Sequence, residues 1–389
     1  MIEKIFNKYL TKIGNEIKVG SLTVTFPNGK NIKFSGKKGL SSDLTLHSYR
    51  PLLRTIVGGH LGFSESYIRG EWTSSNLESF LETMVVNLPE SFNPKSSLYL
   101  FYNKIIHFFR ENTKVRAKKN IMYHYDLGND FYKLWLDKTM TYSSAFFKKE
   151  NESLSDAQEN KYQLLIDELK IKSNHKVLEI GCGWGGFAEY AAKTVGCQIT
   201  GVTISPSQLK FAKSRIKRQG LDKKVTLELC DYRDIKGKYD RIVSIEMIEA
   251  VGEKYWINYF KKVKETLKKD GLAGIQVILI NNKSYEKYSK SVDFIQKYVF
   301  PGGMLPSQEK LNESYKEVGL KEIKSNSFGK SYAKTLSFWH IDFVKSIEAI
   351  RNLGFDDRLE RIFRYYFSYC KAGFNSEKID VVQKIIKIS

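Results

Sequence analysis

Two periods of apolar residues divide this chain. From about residue 160 onward, short apolar runs alternate with stretches of helical spacing. The pattern predicts helices over 161–169, 187–193 and 207–218 with strands over 176–180 and 198–203 between them. Strands over 225–230 and 239–246, a helix over 254–268 and a strand over 271–279 follow. In the last helix Trp256, Tyr259, Phe260, Val263 and Leu267 form one apolar stripe. Strand and helix in this alternation predict an α/β fold with a doubly wound, mostly parallel sheet.

The first hundred residues read differently. Ile2, Ile5, Phe6, Tyr9, Leu10 and Ile13 recur at helical spacing, with Lys4, Lys8 and Lys12 on another face. Such a basic amphipathic helix suits a lipid interface or docking on its own domain equally well. Runs at 22–26 and 32–34 flank Pro27-Asn28-Gly29-Lys30, and Asn-Gly supplies the positive dihedrals of a tight hairpin. A strand over 44–47 and helices over 51–57 and 76–86 complete a small α+β domain, residues 1–95. Aromatic and basic residues then interleave over 96–119, which reads as a linker. The second domain runs over 120–389. Within it, the polar, tyrosine-rich stretch 281–300 ends at Pro301-Gly302-Gly303. An insertion there would lie over the carboxyl ends of the strands, as a lid over about 281–305. Two long amphipathic helices are expected to close the chain. One carries Trp339, Phe343, Ile347 and Ile350, the other Leu359, Ile362, Phe363, Tyr366 and Cys370, all read as core.

Composition narrows the classes. The 389 residues are 42% hydrophobic and 27% charged with only 7 Pro, which excludes a disordered or low-complexity chain. No apolar stretch is long enough to span a bilayer, and residues 1–6 lack a signal-peptide core. The four cysteines show no CxxC or disulfide spacing, so a reducing, cytoplasmic compartment is expected. A net charge of +20 with 23 Tyr and 24 Phe points to an acidic partner, either nucleic acid or an anionic membrane, or simply keeps the chain in solution.

The chemistry begins at Glu179-Ile180-Gly181-Cys182-Gly183-Trp184-Gly185-Gly186, between a predicted strand and helix. Its glycines let the backbone approach a ligand, and the helix start offers free N–H groups. A dinucleotide site would place an acid about 20 residues further on. Here the second strand ends in Thr203-Ile204-Ser205-Pro206-Ser207-Gln208 without one. Glu179 before the glycines and Asp231 after a later strand instead resemble the S-adenosylmethionine pocket of class I methyltransferases. The Gly-Lys-Ser/Thr of a phosphate loop is missing, and the six histidines show no metal-ligand spacing, so no metal is expected.

Further motifs make the resemblance specific. Tyr123 to Tyr132, Thr141 to Phe147, the glycine loop, Thr203 to Gln208, Glu246 to Gly252, Phe300 to Gly303 and Tyr332 to Leu336 follow in the order seen in cyclopropane fatty acid synthases. The resemblance is strong over 120–389 and looser before it, through Tyr67 to Trp72. It implies a class I methyltransferase fold with a seven-stranded sheet. It also implies methyl transfer from S-adenosylmethionine to the double bond of an unsaturated phospholipid acyl chain, then proton loss to a bound bicarbonate and ring closure. The partner would be phospholipid in an anionic membrane at the inner face, with no nucleic acid, and a homodimer compatible.

Carried over by motif, the resemblance places Glu249, Tyr332, Gln276, Ser144 and Ile278 around the bicarbonate. Tyr142, Ser143, Glu179, Gly181, Gly183, Thr203, Ile204 and Gln208 would bind the cofactor, with Asp231, Tyr232 and Arg233 by its adenine. Tyr125, Phe146 and Tyr298 are expected as aromatic walls. Glu246 reads as a second acid in the pocket or as a helix-start residue, and stays outside the expected catalytic set. Gln276, Ser144 and Ala250 stand where many members have His, Cys and His. A methyl-branched product without ring closure is therefore the alternative. A nucleic-acid methyltransferase would want a motif such as Asn-Pro-Pro-Tyr after the fourth strand, where this chain has Glu246 to Gly252.

Overall fold

The protein is described by a computed structural model over residues 10–88 and 127–389. The expected linker, most of the first basic helix and Tyr125 lie outside these residues.

The N-terminal region is a four-stranded sheet of order β2-β1-β3-β4, with β1 at Val19–Thr25, β2 at Asn31–Ser35, β3 at Lys37–Leu46 and β4 at Trp72–Thr73. The hairpin forms where the Asn-Gly pair predicts it. Gly29 has φ +80°, and its N–H donates to the Phe26 carbonyl at 2.9 Å. Leu22, Val24, Leu44 and Leu46 point to one face and are buried there. Helices Arg50–Ile68 and Leu77–Asn87 accompany the sheet, the second capped by Asn76, whose side chain accepts from the Ser79 N–H at 3.0 Å. Trp72 is fully buried, its ring 4.5 Å from Phe63 and 5.2 Å from Phe80. Its indole N–H donates to the Phe63 carbonyl at 3.0 Å, so the polar end is satisfied. The Arg50–Ile68 helix kinks at Gly59, where φ 59° and ψ −146° leave the helical region.

The larger region is a seven-stranded sheet of order β10-β11-β9-β8-β5-β6-β7. Its strands are β5 Lys176–Ile180, β6 Gln198–Thr203, β7 Val225–Leu229, β8 Tyr239–Ile245, β9 Leu267–Ile280, β10 Leu320–Ser327 and β11 Ile379–Ile388. All pairs are parallel except those of β11, which runs antiparallel to both β9 and β10. The strand order reverses between β5 and β8, which opens a crevice at their carboxyl ends.

Three sequence expectations need correcting here. The chain closes with strand β11, after the expected last helix, Asp357–Asn375. The stripe through Trp339 and Ile350 spans two helices, Gly329–Lys345 and Ile347–Asn352, because the chain breaks at Ser346, whose hydroxyl donates to the Leu134 carbonyl at 2.7 Å. The helix expected over 254–268 ends at Thr266, and β9 starts at once with Leu267. The two regions meet where Asp357–Asn375 packs against Leu77–Asn87: Glu78 accepts from Lys371 and bonds His340 at 2.9 Å, and Tyr67 lies 5.6 Å from Tyr365.

Candidate active site

The loop after β5 is pinned to β6 by two bonds, from the Gly181 and Cys182 N–H groups to the Val202 carbonyl at 3.0 and 2.9 Å. Gly181 has φ +85°, and a Cβ there would come within 2.9 Å of Met247 Cγ, so both conformation and space demand glycine. A cavity of about 680 Å³ opens at this point, within the range of small-molecule sites. Glu179, Gly181 and Gly183 line it from the β5 loop, and Thr203, Ile204 and Gln208 from the end of β6. Asp231, Tyr232 and Arg233 line it after β7, and Tyr142 and Ser143 from the segment before β5. Within this wall the Thr203 hydroxyl donates to Gln208 at 3.1 Å, and Arg233 grips Asp231 with bonds of 2.7 and 2.6 Å. Glu179 is 3% exposed, and its Oε2 has no partner among the described residues. Burial pushes its carboxyl well above the ordinary range, against the pull of Arg215 and Lys161.

Beyond β8 stand two acids with different surroundings. Glu246 Oε1 accepts from the Ser144 N–H and from Gln276 Nε2, both at 2.8 Å, and its Oε2 accepts from the Tyr332 hydroxyl at 2.8 Å. Acceptance at both oxygens fits an ionised carboxylate. Glu249 Oε1 accepts from the Ile278 N–H at 2.7 Å, and its Oε2 is buried without a partner among the described residues. Burial, and then the nearby charge of Glu246, push its pKa up to about 8. Burial pushes the Glu246 pKa up as well, but Lys161 and the three donors oppose it, so the two carboxyls differ in how strongly their charged forms are held. Behind them Lys161, fully buried, donates to Ser143 Oγ at 2.7 Å and Gln158 Oε1 at 2.6 Å. Burial lowers its pKa, while Glu246, Asp137 and Glu179 favour its charge.

Of the residues expected around bicarbonate, Glu249, Tyr332 and Ile278 line the cavity. Ser144 and Gln276 do not: both are completely buried and hold Glu246. Phe146 packs 5.4 Å from Phe328 away from the lining, and Tyr298 donates to Glu65 at 3.0 Å, so neither is a wall. The aromatic wall is Tyr142, Phe300 and Tyr366, with ring centroids 5.9 and 6.0 Å apart in sequence and the Tyr142 hydroxyl donating to that of Tyr366 at 3.2 Å. Tyr366 and Cys370, expected as core, both line the cavity. Glu246 and Lys161 are the functional residues that the sequence reading left aside. The readable signal for Lys161 is its place between Ala157 and Leu165 on the apolar face of its helix.

The same cavity extends past the acids into apolar surroundings. Leu22, Leu44, Leu52, Phe80 and Met84 line it from the N-terminal region, and Tyr288, Phe294 and Ile295 from the 281–305 stretch, which folds as helices Asn282–Ser289 and Phe294–Tyr298. Two lysines, Lys287 and Lys378, face it as well, together with the imidazole of His60. Burial and the two lysines hold the His60 pKa down at about 4.

A family model described as mycolic acid cyclopropane synthetase matches residues 112–384. The chain belongs to the cyclopropane synthetase family. It is 36% identical over 354 residues to the tuberculostearic acid methyltransferase of Mycobacterium tuberculosis, covering 87% of this chain and 82% of that protein. It is also 36% identical over 338 residues to the cyclopropane-fatty-acyl-phospholipid synthase of Escherichia coli, covering 85% and 84%. Among solved structures, the mycolic acid cyclopropane synthase CmaA1 complexed with SAH and CTAB superposes with a TM-score of 0.65 at 27% identity, over 69% of this chain and 97% of that one. This family member is accordingly an S-adenosylmethionine-dependent methyltransferase that modifies lipid acyl chains. Its site suits the donor. S-adenosylmethionine carries a sulfonium and an ammonium, and the unpartnered buried oxygens of Glu179 and Glu249 suit a cationic ligand. Gly183, beside which an added Cβ would meet nothing within 4 Å, leaves room for close approach. No helix among the described residues is long and apolar enough to cross a membrane.

Proposed function

We propose that this enzyme methylates the double bond of an unsaturated phospholipid acyl chain, taken from an anionic membrane at its inner face, and that the carbocation formed on the chain then loses a proton from the new methyl carbon and closes to a cyclopropane. The observation that carries this reading is the continuity of one cavity of about 680 Å³ from the carboxylates to an apolar wall. S-adenosylmethionine supplies the electrophilic methyl group. An alkene is a weak nucleophile, so the protein must hold it in line and keep water out. The apolar wall serves both ends. Tyr142, Phe300 and Tyr366 offer π faces that stabilise positive charge on carbon without capturing it, worth about 0.5–2 kcal/mol each. Lys287 and Lys378 make the cavity locally positive, which suits a lipid phosphate, and neutral His60 beside them can share in binding it. The net charge of +20 supports recruitment to an anionic surface.

The test uses vesicles of a defined monounsaturated, anionic phospholipid and methyl-labelled S-adenosylmethionine. Label should enter the acyl chains as one added CH2 that resists mild hydrogenation. A product that takes up hydrogen would replace the ring by a methylated alkene. Label that never enters acyl chains would refute the reading.

A further inference from the structure

We propose that Glu246 is the general base of this enzyme, its carboxylate seated where the resemblance led us to expect a bound bicarbonate ion. The inference rests on the methylation reading above and adds the group that takes the proton.

The seat is already filled. Ser144 N–H, Gln276 Nε2 and Tyr332 Oη, expected to hold the anion, all donate to the two oxygens of Glu246 at 2.8 Å. The Ile278 N–H, a fourth expected donor, is used by Glu249 at 2.7 Å. The residues present therefore do not fit bicarbonate: its donors are spent, and its charge would lie beside two acids. Like charges held this close in a buried site repel each other strongly. A carboxylate and a bicarbonate share the planar O–C–O unit, so the same donors serve either one.

Backbone conformation makes the same point independently. Glu246 has φ +49°, a left-handed conformation that non-glycine residues adopt only under constraint. Its own N–H is fixed to the Gln276 carbonyl at 2.9 Å. The three donors to the side chain hold the residue in this turn, which aims the carboxylate at the cavity it lines.

The step balances without an external reagent. In the first displacement the sulfur–methyl bond breaks, S-adenosylhomocysteine leaves, and the alkene π pair forms the new carbon–carbon bond. A C–H bond of that methyl then breaks, its proton passes to a Glu246 oxygen, and its electron pair closes the ring onto the cationic carbon. Product release returns the proton to solvent.

Two variants separate base from seat. Glu246→Gly vacates the donors and suits φ +49°, whereas Glu246→Gln keeps the seat filled with a group that is no base. In buffer stripped of carbon dioxide, wild-type turnover on the phospholipid vesicles should be unchanged, and both variants should lose about 100-fold or more. Added bicarbonate should rescue Glu246→Gly and leave Glu246→Gln inactive. A 13C NMR titration with labelled bicarbonate should show binding to Glu246→Gly and none to wild type, with S-adenosylhomocysteine affinity by calorimetry confirming that each variant folds. Wild-type activity that needs bicarbonate, a fully active variant in stripped buffer, or a Gly variant that neither binds nor responds to bicarbonate would overturn the proposal. If Glu246→Gly does not fold, the wild-type dependence and Glu246→Gln decide it. Wild type that methylates no acyl chain at all would instead defeat the underlying function.

Discussion

Replacing Glu249 by Gln measures the electrostatics on which the two-acid reading depends. In the folded protein its pKa is raised from 4.5 to about 8, because burial and the Glu246 charge disfavour ionisation and outweigh the Ile278 and Glu249 backbone N–H groups that oppose them. The unfolded chain releases this proton near 4.5, so folding takes it up at any pH between the two values. The stability that the protonated group contributes is complete below 4.5 and is lost as pH rises through 8. At about 1.36 kcal/mol per unit, the whole span is worth roughly 5 kcal/mol. For a chain of this length about 1 kcal/mol moves Tm by roughly 1 °C. Glutamine has no proton to lose and keeps an acceptor for Ile278. The Tm of wild type should therefore fall by roughly 5 °C relative to Glu249→Gln between about pH 5 and pH 9. Near-UV circular dichroism melts of the two apo proteins at matched ionic strength read this directly, and titrations common to both cancel in the difference. Turnover of the variant should drop while affinity for S-adenosylmethionine stays nearly intact. A Tm gap that stays constant across the range would show that Glu249 ionises like an exposed acid and would refute the reasoning.

Two further outcomes probe other parts of the molecule. Trp72→Ala, which empties the centre of the Phe63–Phe80 cluster and leaves the Phe63 carbonyl without its indole donor, should cost about 3–5 kcal/mol in denaturant unfolding; a loss below 1 kcal/mol would mean that this cluster does not hold the N-terminal region together. Lys378→Glu removes one of the two lysine charges that lower the His60 pKa and should raise it above about 4, seen by NMR of the imidazole, and weaken binding to anionic vesicles; an unmoved histidine would show that Lys378 does not contribute to the field in the cavity.

The legible parts of this molecule are those where local chemistry and tertiary role coincide. Asn28-Gly29 turns the hairpin because no other local pair does so as easily, and the glycines from Gly181 announce a strand-to-helix turn whatever surrounds them. Strand β11 escaped because its Gln383 and Lys384 look like surface residues. In the fold both are buried: Gln383 donates to the Gln276 side chain at 3.0 Å, and Lys384 pairs with Glu322 at 2.7 Å. Those partners lie far away in sequence, and no period in the strand hints at them. The helix break at Ser346 escaped for the same reason, since its cause is a carbonyl at Leu134. Gln276 and Ser144 were placed in the right neighbourhood by motif, yet their partner is Glu246, a contact between three separate segments.

Lys161 links these observations into one electrostatic unit. A buried ammonium is costly unless charge and hydrogen bonds surround it, and here Glu246, Glu179 and Asp137 supply the field while Ser143 and Gln158 accept its protons. Because Lys161 donates to Ser143 Oγ, the Ser143 hydroxyl must direct its own proton elsewhere, and Ser143 lines the cavity. In its charged form Lys161 thus engages Ser143 Oγ as an acceptor and favours the ionised form of Glu246. In that ionised form Glu246 adds to the burial that raises the pKa of Glu249 and keeps that acid neutral. Without Lys161, burial would drive Glu246 toward its protonated form, the repulsion on Glu249 would vanish, and the distinction between the two acids would be lost.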